Sequence, residues 1–243
     1  MLEDATTSQV RNPAAWLLVY FVLYLIYLFF HQEGELAHWG TLVLIPLLGL
    51  WYTRRRSDPE FGAKATLKKV GLFWPPPRQG MAIAVVLVLA LQIVQLMNRR
   101  QRAALDPILS SSHAVWLVPT AFLLIMVTAA FTEEVFFRGL IQRSVTERTG
   151  SNTVGVLVAT IAFSLYHVPY AYLNAAWPSA GDLGHAVQLA FANGVPGGVI
   201  IGLLFIRSRY NLTAPILVHA AVDWIPATIA IAEAWLPSLQ GSG

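Results

Sequence analysis

The chain has 243 residues, 56% of them hydrophobic and only 12% charged, about half the charged share of an ordinary soluble domain. Its charge of +3 and pI near 9.3 do not point to nucleic acid, because the basic residues sit in short loops between long apolar blocks. With no cysteine, a disulfide framework, a thiol nucleophile and a thiolate-bound metal are all excluded.

Taken in order, Met1 to Asn12 is polar and partly acidic, and no small-residue cleavage site follows the first apolar run. Residues 14–30 therefore read as a retained span rather than a cleaved signal peptide. Further apolar segments follow at 37–52, 81–97, 115–140, 153–168, 186–206 and 212–232, each near the ~20 residues a spanning helix needs. The second is short and contains Pro46, and Pro75-Pro76-Pro77 marks a loop before the third. Gly241-Ser242-Gly243 reads as a linker remnant. The expected architecture is all-α, a polytopic transmembrane bundle of about seven spans, or eight, with a four-helix catalytic core. Its expected parts are N-terminal spans over 1–114, a catalytic bundle over 115–235 and a tail over 236–243.

Charge placement orients the bundle. The 53–79 loop carries Arg54, Arg55, Arg56, Lys64, Lys68, Lys69 and Arg78 against Asp58 and Glu60, so it is expected to be cytoplasmic. Glu33 and Glu35, without Lys or Arg beside them, suit the opposite side. Alternation then puts Arg143, Arg148, Arg207 and Arg209 inside and the 169–185 loop outside. Arg99, Arg100 and Arg102 also land outside, so either the rule is broken locally or one of the first three segments does not cross.

The fourth segment holds two adjacent carboxylates, Glu133 and Glu134, with Arg138 following. An Asp at mid-helix already costs about 2.5–3.5 kcal/mol on insertion scales. Glu134 and Arg138 share a helix face and can pair, which leaves Glu133 as a free carboxylate suited to general-base work. A purely structural pair beside a polar interface is the blander alternative. The fifth segment adds His167, and the seventh adds His219 and Asp223, four residues apart on one face. Each is weak alone: a buried His is often just satisfied, and Asp223 could simply hold one imidazole tautomer.

Depth links them. If the fourth and fifth segments form a hairpin at Thr149 to Asn152, Glu133 and His167 each lie 17 residues from Gly150, roughly 25 Å along their helices. His219 and Asp223 lie roughly 15–21 Å from a second turn near Arg209 on the same side. Gly194, Gly197 and Gly198 on the sixth segment allow close helix approach.

In these residues the chain resembles the CPBP, or Abi, intramembrane protease family, which is related to the type II CAAX prenyl endopeptidases. Its E-E-x-x-x-R motif matches Glu133, Glu134 and Arg138; F-x-x-x-H matches Phe163 and His167; H-x-x-x-N or H-x-x-x-D matches His219 and Asp223. The resemblance spans about residues 115–235. It implies hydrolysis of a peptide bond near the membrane. Glu133 and His167 would activate water, Glu134 and Arg138 would fix the glutamate's helix, and His219 would help hold the oxyanion. The prenyl endopeptidases carry Asn where this chain has Asp223, whose carboxylate donates nothing unless protonated. Asp223 would then orient His219 or hold a metal, and a prenylated CAAX substrate follows less directly than the family. Glu133, His167 and His219 are a ligand set zinc accepts, so Zn2+ or another divalent ion is one alternative and metal-free glutamate chemistry the other.

The expected partners are membrane lipid and a peptide or protein substrate, lipid-modified or carrying a transmembrane segment, and no nucleic acid. A proton-coupled transporter or channel and a non-catalytic scaffold of the same fold are the competing readings. Lack of cysteine and of an organelle signal points to a prokaryotic cytoplasmic membrane. His31, His38, His113 and His185 read as solvated or interfacial, and Trp39, Trp51, Trp74, Tyr170, Tyr172 and Trp177 as an aromatic belt. Tyr170 to Trp177 could alternatively cover the outer mouth of the site. The basic 53–79 loop could contact anionic lipid.

Overall fold

The computed structural model describes residues 13–31, 34, 36–175 and 177–235. The polar N-terminal stretch before Pro13, Glu33, Glu35 and the 236–243 tail lie outside the described residues. Helices account for the regular structure, and no strand occurs among the described residues. They are α1 (Ala14–Phe30), α2 (Ile45–Arg55, entered through a π-helical stretch Trp39–Leu44), α3 (Ala63–Lys69), α4 (Arg78–Met97) and α5 (Arg99–Leu109). The long α6 (Ala114–Thr149) follows, then α7 (Asn152–Leu173), α8 (Leu183–Arg207) and α9 (Thr213–Trp235).

Among the described residues five helices, α4 and α6 to α9, are long and apolar enough to cross a membrane, and α1 is a shorter apolar helix. Their outward faces carry large apolar side chains such as Val85, Val86, Leu89 and Ile93 on α4 and Val22, Leu23 and Ile26 on α1. Water would penalise such a continuous surface and lipid does not. The second expected span differs: 37–52 is a π-helical turn joined to a short α-helix, with Pro46 in that helix's first turn and Arg54 and Arg55 in its last. Proline has no N–H to continue the preceding hydrogen-bond ladder.

Arg99, Arg100 and Arg102 open α5, whose start is capped by Asn98 Oδ1 accepting from the N–H groups of Arg100 and Gln101. This helix buries Leu105 and Ile108 with Leu117 of α6 and Ile225 and Ala232 of α9. The arginines thus stand at the end of α4 remote from the 53–79 loop.

The loops expected on one side do gather at one end of the bundle. Leu212 N–H donates to Gly71 O (3.0 Å), Asn211 Nδ2 to Phe73 O (2.7 Å) and Tyr210 OH to Asn152 Oδ1 (2.5 Å). At the same end Arg54, Lys69 and Arg143 surround Glu147.

The main core packs Leu17, Phe21, Tyr24 and Leu28 of α1 against Phe136, Phe137 and Leu140 of α6 and Phe163 and Tyr166 of α7. Close packing of α7 and α8 runs through Gly194, Gly198 and Gly202. A Cβ on these would fall 2.6 Å from Ser164 Oγ, 2.8 Å from Thr160 Cγ2 and 3.0 Å from Gln142 Oε1, respectively. Gly197, expected to join this stripe, faces open space instead. It lies one residue off the four-residue repeat that keeps side chains on one helix face. Gly139 on α6 is a second contact point, with Val70 O only 2.6 Å from where its Cβ would be and Leu212 Cδ1 3.3 Å away.

Candidate active site

The contact at Gly139 sets the depth of the site. The turn before α9 docks on α6 there, with Leu212 beside Gly139, rather than level with the α6–α7 turn at Gly150. His219 lies seven residues beyond Leu212 and Glu133 six residues before Gly139. At ~1.5 Å per residue the two are level to within roughly 2 Å. This removes the mismatch between roughly 25 Å and 15 Å in the depths reckoned from the two turns.

Glu133 and Glu134 sit where α6 changes from an α-helical turn (Phe131–Glu133) to a nine-residue π-helical stretch, Glu134–Gln142. Such widened turns recur at functional sites. Both carboxylates are buried, as are Arg138 and His219. Glu134 acts as a connector: Oε2 stands 3.2 Å from Arg138 Nε, and Oε1 accepts a 2.7 Å hydrogen bond from His219 Nδ1. Arg138 also lies over the Phe163 ring, its Cζ 4.5 Å from the centroid. Nη1 and Nη2 have no hydrogen-bond partner among the described residues, so Glu134 and the π face are what hold this cation.

Phe163 holds the other histidine as well. Its carbonyl accepts a 2.8 Å hydrogen bond from His167 Nδ1, and its ring lies 4.6 Å from the His167 ring and 5.9 Å from that of His219. A carbonyl only accepts, so Nδ1 carries the proton, and Nε2 of a neutral His167 presents a lone pair. That Nε2 is 4.0 Å from Glu133 Oε2, beyond direct hydrogen bonding. His219 Nε2 is 3.7 Å from the same oxygen and 3.2 Å from Asp223 Oδ2. Glu133 Oε2 is buried with no hydrogen-bond partner among the described residues. The side chains of His167 and Asp223 are 27% and 40% exposed, against none for Glu134. The cluster is therefore closed toward Glu134 and Arg138 and open toward His167 and Asp223.

Glu133, Glu134, Arg138, Phe163, His167, His219 and Asp223 thus meet in one place. His38, Tyr166 and Tyr170 join them, outside the set expected from the sequence. His38 is 3% exposed and bonds through Nε2 with Tyr170 OH at 2.8 Å, with Tyr166 OH 3.4 Å away. The reading of His38 as solvated or interfacial is therefore corrected, and Tyr170 serves as its partner. The chain enters α2 through the core beside α7, which local spacing around His38 does not reveal. As for a metal, no group of three His, Asp or Glu among the described residues is arranged to hold an ion. Both nitrogens of His219 are already directed at carboxylates. The reading of Glu133, His167 and His219 as ligands finds no formed set among the described residues.

Residues 114–225 match the family model described as Type II CAAX prenyl endopeptidase Rce1-like. All seven motif residues fall within that stretch. Comparisons with curated proteins and with solved structures gave no match. Over residues 114–225 the chain is similar to the CAAX prenyl endopeptidases, a peptidase family, and its several long apolar helices make it a multi-pass membrane protein.

Proposed function

We propose that the chain is an intramembrane endopeptidase that hydrolyses a peptide bond with a water activated by Glu133. The observation that carries this reading is the gap at Glu133 Oε2, a buried and unpartnered oxygen facing His167 Nε2 across 4.0 Å. One water fits there by donating a proton to each acceptor, which leaves its lone pairs free to attack a carbonyl carbon. As the C–O bond forms, Glu133 takes the water's proton. As the C–N bond of the tetrahedral intermediate breaks, Glu133 returns that proton to the leaving amine.

Charge on the carbonyl oxygen develops beside His219. Its two nitrogens face Glu134 and Asp223, which accept and do not donate when ionised, so the ring acts as a donor on both sides. In this reading Asp223 orients His219 rather than donating to the oxyanion itself, and Glu134 with Arg138 holds His219 from behind. Substrate enters past His167 and Asp223, the exposed side of the cluster. The family relation supports a C-terminal, CAAX-type peptide, lipid-modified so that the scissile bond is held at the membrane.

The test uses detergent-purified full-length protein with prenylated and unprenylated CAAX peptides, wild type against Glu133→Gln, with and without chelator. Cleavage by wild type and none by Glu133→Gln supports the proposal, and equal cleavage by both defeats it. A preference for the prenylated peptide assigns the substrate class. Loss of activity with chelator, together with stoichiometric metal by elemental analysis, would replace the metal-free water with a metal-bound one.

A further inference from the structure

We infer that His38 is a positioning residue of this site, set by the segment before α2 to hold the helices carrying Glu133 and His167 in register. It rests on the hydrolytic reading above. His38 lies outside residues 114–225, where the family match falls, and is 128 and 132 residues from the tyrosines it meets.

The contacts run to both helices. Toward α7, His38 Nε2 bonds with Tyr170 OH at 2.8 Å and lies 3.4 Å from Tyr166 OH. Tyr166 is fully buried, and its ring stands edge-on to His167 at 5.0 Å. Toward α6, the next residue, Trp39, stacks on Phe131 at 4.9 Å and donates from Nε1 to Val127 O at 3.1 Å. Phe131 is two residues before Glu133, and Tyr166 is next to His167. The dipeptide His38-Trp39 therefore clamps α6 to α7 at the level of the site.

The chemistry explains why this clamp bears on turnover. Water held between Glu133 Oε2 and His167 Nε2 depends on their 4.0 Å separation, and a misplacement of about 1 Å can cost a hundredfold in rate. A buried imidazole among apolar helices is a costly way to fill space. A hydrogen-bonded one fixes the direction of its tyrosine partners, which an apolar side chain cannot do.

The test measures kcat and KM separately for detergent-purified full-length His38→Phe, His38→Gln and Tyr170→Phe, alongside Glu133→Gln and thermal midpoints of all four. His38→Phe keeps ring volume and loses the hydrogen bond; in His38→Gln an amide reaches the Tyr170 hydroxyl. The expected result is a kcat about tenfold lower in His38→Phe and Tyr170→Phe, the scale seen for orienting partners. KM stays within about twofold, and His38→Gln recovers most of the loss. Wild-type kcat in His38→Phe, or equal loss in His38→Phe and His38→Gln with lowered Tm, overturns the inference. If His38→Phe does not fold, the comparison of Tyr170→Phe with His38→Gln decides by the same criteria. An inactive Glu133→Gln beside an unaffected His38→Phe removes this inference alone, whereas an active Glu133→Gln removes the hydrolytic reading and this with it.

Discussion

At one end of the bundle Arg54, Lys69 and Arg143 converge on Glu147 at 3.5, 2.5 and 3.3 Å, with 16–30% of these side chains in solvent. In its middle Arg138 and His219 converge on Glu134 at 3.2 and 2.7 Å, and next to nothing is exposed. The residue types are nearly the same and the environments are opposite. At the exposed end three cations share one carboxylate because water screens the excess. Lys69 nonetheless shows the strain: burial pushes its ammonium below the usual lysine range, against Glu147, which holds it up. In the middle, unscreened charge must be matched group by group, and Glu134 stands between Arg138 and His219. Within that ordering Glu133 Oε2 stands at a defined position without a hydrogen-bond partner among the described residues. An exposed carboxylate would simply be hydrated.

The contrast can be broken at its strongest point first. Glu133→Gln, which keeps volume and removes the base, should lower peptide cleavage about 10²–10⁴-fold while leaving the thermal midpoint near wild type. A large fall in stability would mean that Glu133 is structural. Glu134→Leu leaves Arg138 buried without its anion and should cost about 3–5 kcal/mol, measured by chemical unfolding in detergent. Glu134→Leu with Arg138→Leu should recover much of that stability without restoring cleavage, because His219 has still lost its Nδ1 partner. Recovery of activity by the double variant would reduce Glu134 to a packing role.

His219→Ala removes the ring that, with both nitrogens donating, carries positive charge beside the developing oxyanion and should lower kcat about 10²–10³-fold, checked by steady-state kinetics. The smallest effect belongs to the exposed end. Glu147→Gln should change stability by less than about 1 kcal/mol, and by less still as salt is raised. An effect matching that of Glu134→Leu would erase the distinction between the two clusters.

Much of the site was legible because helical spacing is local. Glu134 to Arg138 and His219 to Asp223 are i,i+4 pairs, and both are close in the structure, at 3.2 Å each. Hairpin arithmetic brought Glu133 and His167 to one level, and they do face each other. Its shortfall for α9 came from taking the two turns as level, whereas the close approach at Gly139 seats the α8–α9 turn well inside the α6–α7 turn. A glycine in an apolar run does not announce which backbone will lie on it. Gly197 failed for the same reason: composition marked a glycine-rich stretch, and helix rotation chose Gly194, Gly198 and Gly202.

His38 was illegible for a different reason. Its sequence neighbours are interfacial in character, and its partners lie on a helix more than a hundred residues away. What would have raised it is its placement just before an apolar segment, with Trp39 adjoining, but an aromatic belt produces the same pattern.

By itself the sequence determined the solvent and the chemistry. Apolar length demands helices in lipid, since every backbone polar group must be satisfied within its own segment. Carboxylates and imidazoles at such positions are too costly to be incidental. Helical spacing already paired Glu134 with Arg138; only the tertiary structure decided which histidine each carboxylate meets. Glu133 and Glu134 are adjacent and chemically identical, and the ~100° rotation per helical residue separates their directions. One is fixed between Arg138 and His219; the other faces His167 across a gap that water can fill.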